Sequence, residues 1–126
     1  MTRAAAGSTV AVLGASPKED RYSFKAVHLL KEHGHNPIPV HPAGHTVDGI
    51  DGVKSLDDVE RGVDTLTLYV NAAISSGQHD KIIALQPRRV VFNPGAENPD
   101  LAEKLKDAGI EVVEACTLVM LRTEQF

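Results

Sequence analysis

Four residues near the start of the chain, Gly14, Ser16, Lys18 and Arg21, have the types and spacing of a phosphate-binding loop. They sit in Thr9-Val-Ala-Val-Leu-Gly14-Ala15-Ser16-Pro-Lys18-Glu-Asp-Arg21-Tyr22-Ser23-Phe-Lys25, which reads as a buried strand, a tight turn, a polar loop and a helix start. Glycine lets the backbone turn sharply and lets a ligand approach it closely. Ser16 offers a hydroxyl, Lys18 a point charge, and Arg21 a planar fork of N–H donors. The helix expected next points its N-terminus back at the turn, where free N–H groups and the positive dipole end favour anions, phosphates above all. The alternative is a plain strand–helix turn, because glycine-bearing turns of this kind are common.

The loop departs from the dinucleotide pattern G-x-G-x-x-G, which would need glycines where the chain has Ser16 and Glu19. The second expected strand ends in Val40-His41-Pro42, with no acid to hold the ribose hydroxyls of a nicotinamide cofactor. A histidine there favours a ligand whose ribose carries a phosphate, which fits coenzyme A and, less well, NADP; the other reading is a structural histidine. His41 and His45 make an incomplete metal set. Ser16 is no nucleophile elbow, because the second glycine of that motif is missing. Cys116 is either a reactive thiol, open to a mixed disulfide with CoA, or a small hydrophobe in an apolar run, and the second reading is preferred. Asp57, Asp58 and Glu60 read as a solvated helix face, as do Glu103, Lys104, Lys106 and Asp107. No carboxylate pair or nucleophile–base pair lies near the loops, so no catalytic residue and no metal ligand is assigned.

The elements that must position these residues follow from hydrophobic patterning. Val10 to Leu13 is an unbroken apolar run, as in a strand covered on both faces. A helix is expected over residues 22–33, ended by Gly34. A strand at 36–41 is weakened by Pro37 and Pro39, which suggest an edge. A short strand is expected near Val47 and a short helix at 55–60, capped by Ser55 with Asp58 at the capping-box position. Further strands are expected at 63–71, 89–93 and 110–113. Ser75 or Ser76 should cap a helix running to Leu85, and Asn98-Pro99 should start another that ends at Gly109. The apolar stretch 116–121 should pack on the core.

This alternation implies an α/β fold: a Rossmann-like parallel sheet of about five strands with helices on both faces, in the order 3-2-1-4-5 when the segment near Val47 is counted third. A ligand crevice is then expected at the C-terminal strand ends, where the order reverses beside the first strand. The loops at 14–23, 69–73 and 93–97 meet there, with 41–45 at the adjacent strand end.

The chain has 126 residues, enough for one domain with a real core. Residues 1–8 are expected to be a flexible start and 9–126 the domain. A formal net charge of −4 and only 4% aromatic residues argue against a nucleic-acid binder. One cysteine rules out an intramolecular disulfide and fits a reducing cytoplasm. The first residues are too short and too weakly apolar for a signal peptide, and no stretch suits a membrane span.

Several motifs carry a resemblance: Val12-Leu-Gly-Ala-Ser-Pro-Lys18, Arg21-Tyr-Ser-Phe-Lys-Ala26, Val40-His-Pro42, Leu66-Thr-Leu-Tyr-Val-Asn71, Val91-Phe-Asn-Pro-Gly-Ala-Glu-Asn98 and Ala115-Cys-Thr-Leu-Val-Met120. The chain resembles the single-domain CoA-binding proteins, whose domain is similar to the CoA-binding domain of the succinyl-CoA synthetase α-subunit. The resemblance implies a module that holds CoA or an acyl-CoA without chemistry of its own. Gly14, Ala15 and Ser16, with the following cations Lys18 and Arg21, would meet the phosphates, and Tyr22 and Ser23 would belong to the same binding set. His41 and Pro42, the strand end Tyr69, Val70 and Asn71, and the turn Asn93, Pro94, Gly95 and Ala96 would flank the rest. Such proteins often carry a basic residue just after the second strand's proline; this chain has Ala43 and Gly44, so His41 or His45 would have to meet the 3′-phosphate. The phosphohistidine domain and nucleotide-grasp subunit of the synthetases have no counterpart here, and His79 reads as a surface residue. Two alternatives stay open: an NADP-binding oxidoreductase fragment, and an interaction subunit that supplies a CoA site to a partner acyl-CoA synthetase. Expected partners are CoA or acyl-CoA, with a homodimer left open and neither nucleic acid nor membrane.

Overall fold

A computed structural model describes residues 3–60 and 62–126. Five strands, β1 (Thr9–Leu13), β2 (Asn36–Val40), β3 (Thr65–Leu68), β4 (Arg89–Phe92) and β5 (Glu111–Glu114), form one parallel sheet in the order β2-β1-β3-β4-β5. The helices are α1 (Tyr22–Glu32), α2 (Ala72–Ser76), α3 (His79–Leu85), α4 (Pro99–Asp107) and α5 (Thr117–Arg122), with a 3-10 turn at Leu56–Asp58. The expected Rossmann-like architecture is therefore present.

The central strands read as apolar runs because both their faces are covered. On one face Ala11, Leu66, Leu68 and Val90 pack with Leu56, Ile82, Leu85, Leu101 and Leu105. On the other, Val10, Val12 and Val91 pack with Val27 and Leu30 of α1, Met120 and Leu121 of α5, and Phe126. β2 is an edge strand, as its two prolines required. The Pro39 carbonyl accepts the Val53 N–H from outside the sheet at 2.9 Å, so the N–H that proline lacks falls on the open side.

Three local expectations are corrected. Val47 is not in a sheet strand: it pairs with Ile50 in a tight antiparallel bridge, and Val53 instead makes a single parallel bridge to Val40. The helix expected from Ser75 or Ser76 is two helices. The first begins at Ala72 and is capped by Asn71, whose side-chain oxygen accepts the Ile74 N–H. Ser75 and Ser76 are engaged elsewhere: both hydroxyl oxygens accept from the Asn98 amide, tying α2 to the start of α4. Ser55 does cap its turn, but through the Asp57 N–H, while the Asp58 N–H bonds to the Ser55 carbonyl.

Of the segment 1–8, Met1 and Thr2 lie outside the described residues. Ala4 donates its N–H to the Phe126 carbonyl at 2.8 Å and packs against the α1/α5 face of the core. At the same, N-terminal end of the strands, Arg89 is fully buried. Its Nε donates to Thr65 Oγ1 at 3.1 Å and its guanidinium lies 4.4 Å from the centre of the Phe126 ring. Burial lowers its pKa. Beside it, Arg88 grips Asp64 with two nitrogens and reaches Glu111, joining β4 to the start of β5.

Candidate functional site

The site grows from the bend at Gly14, at the point where the chain leaves β1 between β2 and β3. Gly14 has φ +88°, and a Cβ there would stand 2.7 Å from the Tyr69 carbonyl oxygen and 2.8 Å from Val70 Cγ1. Only glycine satisfies both the left-handed conformation and that approach. The turn is pinned on its other side by the Val40 carbonyl, which accepts the N–H groups of Gly14 (2.9 Å) and Ala15 (3.3 Å). The ends of β1, β2 and β3 are thus locked together at one glycine.

The loop that follows uses its own side chains to hold shape. Ser23 Oγ accepts the Ser16 N–H and Ser16 Oγ accepts the Lys18 N–H, each at 3.1 Å. The backbone donors of Gly14, Ala15, Ser16 and Lys18 are therefore occupied. Donors left for an anion include those of the first turn of α1, at Tyr22, Ser23 and Phe24, which have no carbonyl four residues back within the helix. The N-cap residue, Arg21, makes no side-chain capping bond, and none of the other described residues caps this helix end. The sequence points to the helix N-terminus facing the glycine turn, and the free donors lie at that helix end rather than on the turn itself.

Three adjoining hollows of about 240 Å³ each surround this point. The middle one is lined by Gly14, Ser16, Arg21, Tyr22, Ser23 and Tyr69. The second shares Tyr22 and Tyr69 with it and adds Asn93, Pro94, Cys116 and Leu118. The third shares Gly14 and runs past Leu13, His41, Pro42 and Val70 to Lys54, Ser55, Leu56, Ile74, Gln78 and Lys81. Together they form a groove across the C-terminal ends of the strands. A further hollow of about 290 Å³, lined by His35, Leu121, Phe126 and others, lies at the opposite end of the sheet, away from every loop singled out by the sequence.

Most of the expected site residues thus meet. Five line none of these hollows. Ala15 and Ala96 are buried, Lys18 and Gly95 are exposed, and Asn71 is exposed and serves as the cap of α2. Asn93 lines the groove, but its amide is committed inside the protein. Nδ2 donates to Thr67 Oγ1 (2.6 Å) and to the Leu68 carbonyl (2.9 Å), and Oδ1 accepts the Thr117 N–H (2.9 Å). Thr67 and Thr117 share a further bond of 2.7 Å between hydroxyls. This buried clamp joins β3, β4 and α5 and fixes the floor of the second hollow. Cys116, preferred as a core residue on sequence, is half-buried on that hollow beside Tyr69, whose phenol is pushed above its ordinary pKa by burial. Lys54, Gln78 and Lys81 carry no sequence signal for the site; the fold alone brings them to it.

His41 accepts the Ala43 N–H on Nδ1 at 3.0 Å, so in its neutral form the proton sits on Nε2. Its ring centre is 4.5 Å from that of His45. Burial first, and the neighbouring His45 second, lower its pKa. Among the described residues no group of three or more His, Cys, Asp or Glu side chains is arranged to hold a metal ion, and no helix is long and apolar enough to cross a membrane.

Comparison with known proteins gives this groove a context. The crystal structure of an uncharacterized protein superposes with a TM-score of 0.91 at 43% identity, over 97% of this chain and 100% of that one. A 5-oxoprolinase subunit of Staphylococcus carnosus (strain TM300) is 34% identical over 100 residues, which are 77% of this chain but 39% of that protein. The chain thus spans about two fifths of that relative's length. The dinucleotide-forming acetyl-coenzyme A synthetase 1 of Ca. Korarchaeum cryptofilum shares the fold, with a TM-score of 0.72 and 21% identity over 87% of this chain and 26% of that one. Residues 8–122 match the family model of the CoA binding domain, nearly the full length of the sequence, and on that match the chain belongs to the CoA-binding domain family.

Proposed function

We propose that the protein is a non-catalytic module that holds CoA or an acyl-CoA in the groove at the C-terminal strand ends. The observation that carries this reading is the unclosed N-terminus of α1 at the Gly14 bend, flanked by Arg21 and the Ser16 hydroxyl, in a chain of the CoA-binding domain family. In this reading the pyrophosphate takes the first-turn N–H groups of α1 and the Arg21 guanidinium, as the positive end of a helix dipole favours. Lys18 adds charge nearby. His41 and Pro42 flank the adenosine. The pantetheine arm runs over Tyr69 toward Asn93 and Pro94, where a mostly apolar hollow suits an acyl group.

Among the described residues the groove brings together no reacting pair, so steady hydrolysis of acetyl-CoA or succinyl-CoA is not expected from the purified protein. A ligand that binds only the folded state raises the melting temperature by mass action. CoA should therefore raise it, and NAD at the same concentration should do little. A larger shift with NAD would reverse the reading.

A second reading has one observation in its favour: in the Korarchaeum synthetase the matching fold is 26% of a longer chain. The protein would then lend its CoA site to a partner synthetase in a reducing cytoplasm. Co-purification of such a synthetase, dependent on an intact groove, is the test.

A further inference from the structure

We infer that Lys54, seated over Gly44, is the specificity residue that recognises a second phosphate on the ligand's ribose, the 3′-phosphate that distinguishes CoA from its dephosphorylated form. This rests on the CoA reading above. The sequence lacks a cation directly after Pro42, and the fold provides one from the next loop. After the excursion through residues 43–52 the chain returns to the edge of β2: the Val53 N–H bonds to the Pro39 carbonyl at 2.9 Å and the His41 N–H bonds to the Val53 carbonyl at 3.0 Å. That pairing sets the next residue, Lys54, beside His41 and Pro42 on the wall of the third hollow.

Gly44 makes the arrangement possible. A Cβ at Gly44 would stand 3.2 Å from Lys54 Cγ and 3.5 Å from Lys54 Cε, so the lysine stem lies across the space a side chain would fill. Gly44 also has φ +64°. The small residue where a cation was expected is therefore the seat for a cation from elsewhere.

Other groups on this wall are less suited to the task. Lys81 already donates to Ser55 Oγ at 3.1 Å and lies 3.7 Å from Asp57. His41 is held toward its neutral form by burial and by His45. Lys54 is exposed and has no ion-pair or hydrogen-bond partner among the described residues, so its charge is available to a ligand. Beyond it, Val70 and Ile74 offer an apolar surface for an adenine face.

The test is calorimetric titration of CoA and of 3′-dephospho-CoA into the wild type, Lys54→Ala and Lys54→Arg, at low ionic strength. A charge-assisted contact to phosphate supports a preference for CoA of roughly tenfold in the wild type. Lys54→Ala should bring the two affinities together by weakening CoA alone, and Lys54→Arg should keep most of the preference. A wild type that does not distinguish the ligands, or a folded Lys54→Ala that distinguishes them as well as the wild type, overturns the assignment while leaving CoA binding intact. Binding of neither ligand to the wild type overturns the CoA reading itself, and this inference with it.

Discussion

Replacing Gly14 by alanine should be among the most damaging single changes in this protein, and its cost can be worked from two separate features. A residue with a Cβ pays about 1–2 kcal/mol to hold a left-handed backbone, and Gly14 has φ +88°. The new methyl would also meet the Tyr69 carbonyl oxygen at 2.7 Å, and that oxygen belongs to backbone fixed at the end of β3. Overpacking of this kind costs typically about 1–3 kcal/mol. The sum, about 2–5 kcal/mol, is a large part of the roughly 5–15 kcal/mol that holds a domain folded. Gly95 provides the control: φ is +89°, yet a Cβ at that position would meet nothing within 4 Å. Gly95→Ala should therefore cost only the conformational part, about 1–2 kcal/mol. Urea denaturation at equilibrium reads both, as a lower midpoint with an unchanged slope. Equal losses for the two variants, or a loss below about 0.5 kcal/mol at Gly14, would refute the claim that this bend is set by close approach to β3.

Asn93→Ala removes the clamp and leaves the Thr117 N–H and the Leu68 carbonyl unsatisfied in a buried place, so it should cost about 2–4 kcal/mol by the same assay; a loss under about 1 kcal/mol would show the clamp to be dispensable. Arg21→Ala should leave folding intact, since Arg21 is exposed, and weaken CoA binding by roughly tenfold; Lys18→Ala should weaken it less. Unchanged affinity in both would leave the helix N-terminus and Ser16 to hold the phosphates alone. The pKa values of His35 and His41 are lowered in the folded protein, by burial first in each case, so the unfolded chain takes up protons more readily. Their contribution to stability is therefore complete above the ordinary histidine pKa of about 6.5 and declines as pH falls through and below it. Histidine resonances followed by NMR should titrate below that value for both residues, and the His41 pKa should rise when a phosphate-bearing ligand is bound.

The strands β1, β3 and β4 were legible because burial on both faces writes them as largely apolar runs, and the ends of α1 and α4 because Gly34 and Asn98-Pro99 mark them chemically. What stayed hidden depends on contacts between segments distant in sequence. Ser75 reads as a cap as readily as Asn71 does, yet the Ser75 and Ser76 hydroxyls are taken by Asn98, 23 and 22 residues away. Val47 has the composition of a strand, but it folds back on Ile50 within a four-residue turn and leaves the edge of β2 to Val53. Arg89 begins a strand whose apolar signal comes from its neighbours, and nothing local announces that Thr65 and Phe126 enclose it. At the groove, Gly14, Ser16, Arg21 and the strand ends at Tyr69 and Asn93 could be read directly, because each belongs to a strand-to-helix turn. Lys54 could not, because its place is set by the return of the chain to β2 and by the absence of a side chain at Gly44.

The central claim is that CoA occupies the groove at the C-terminal strand ends, and amide chemical-shift mapping during a CoA titration tests it most directly. The account predicts saturable shifts concentrated at Gly14, Ser16 and the Tyr22, Ser23 and Phe24 amides, with others at His41, Lys54 and Tyr69, and little change at His35 and Phe126 on the opposite end of the sheet. Shifts centred on His35 and Phe126, or no saturable shifts at all, would contradict it.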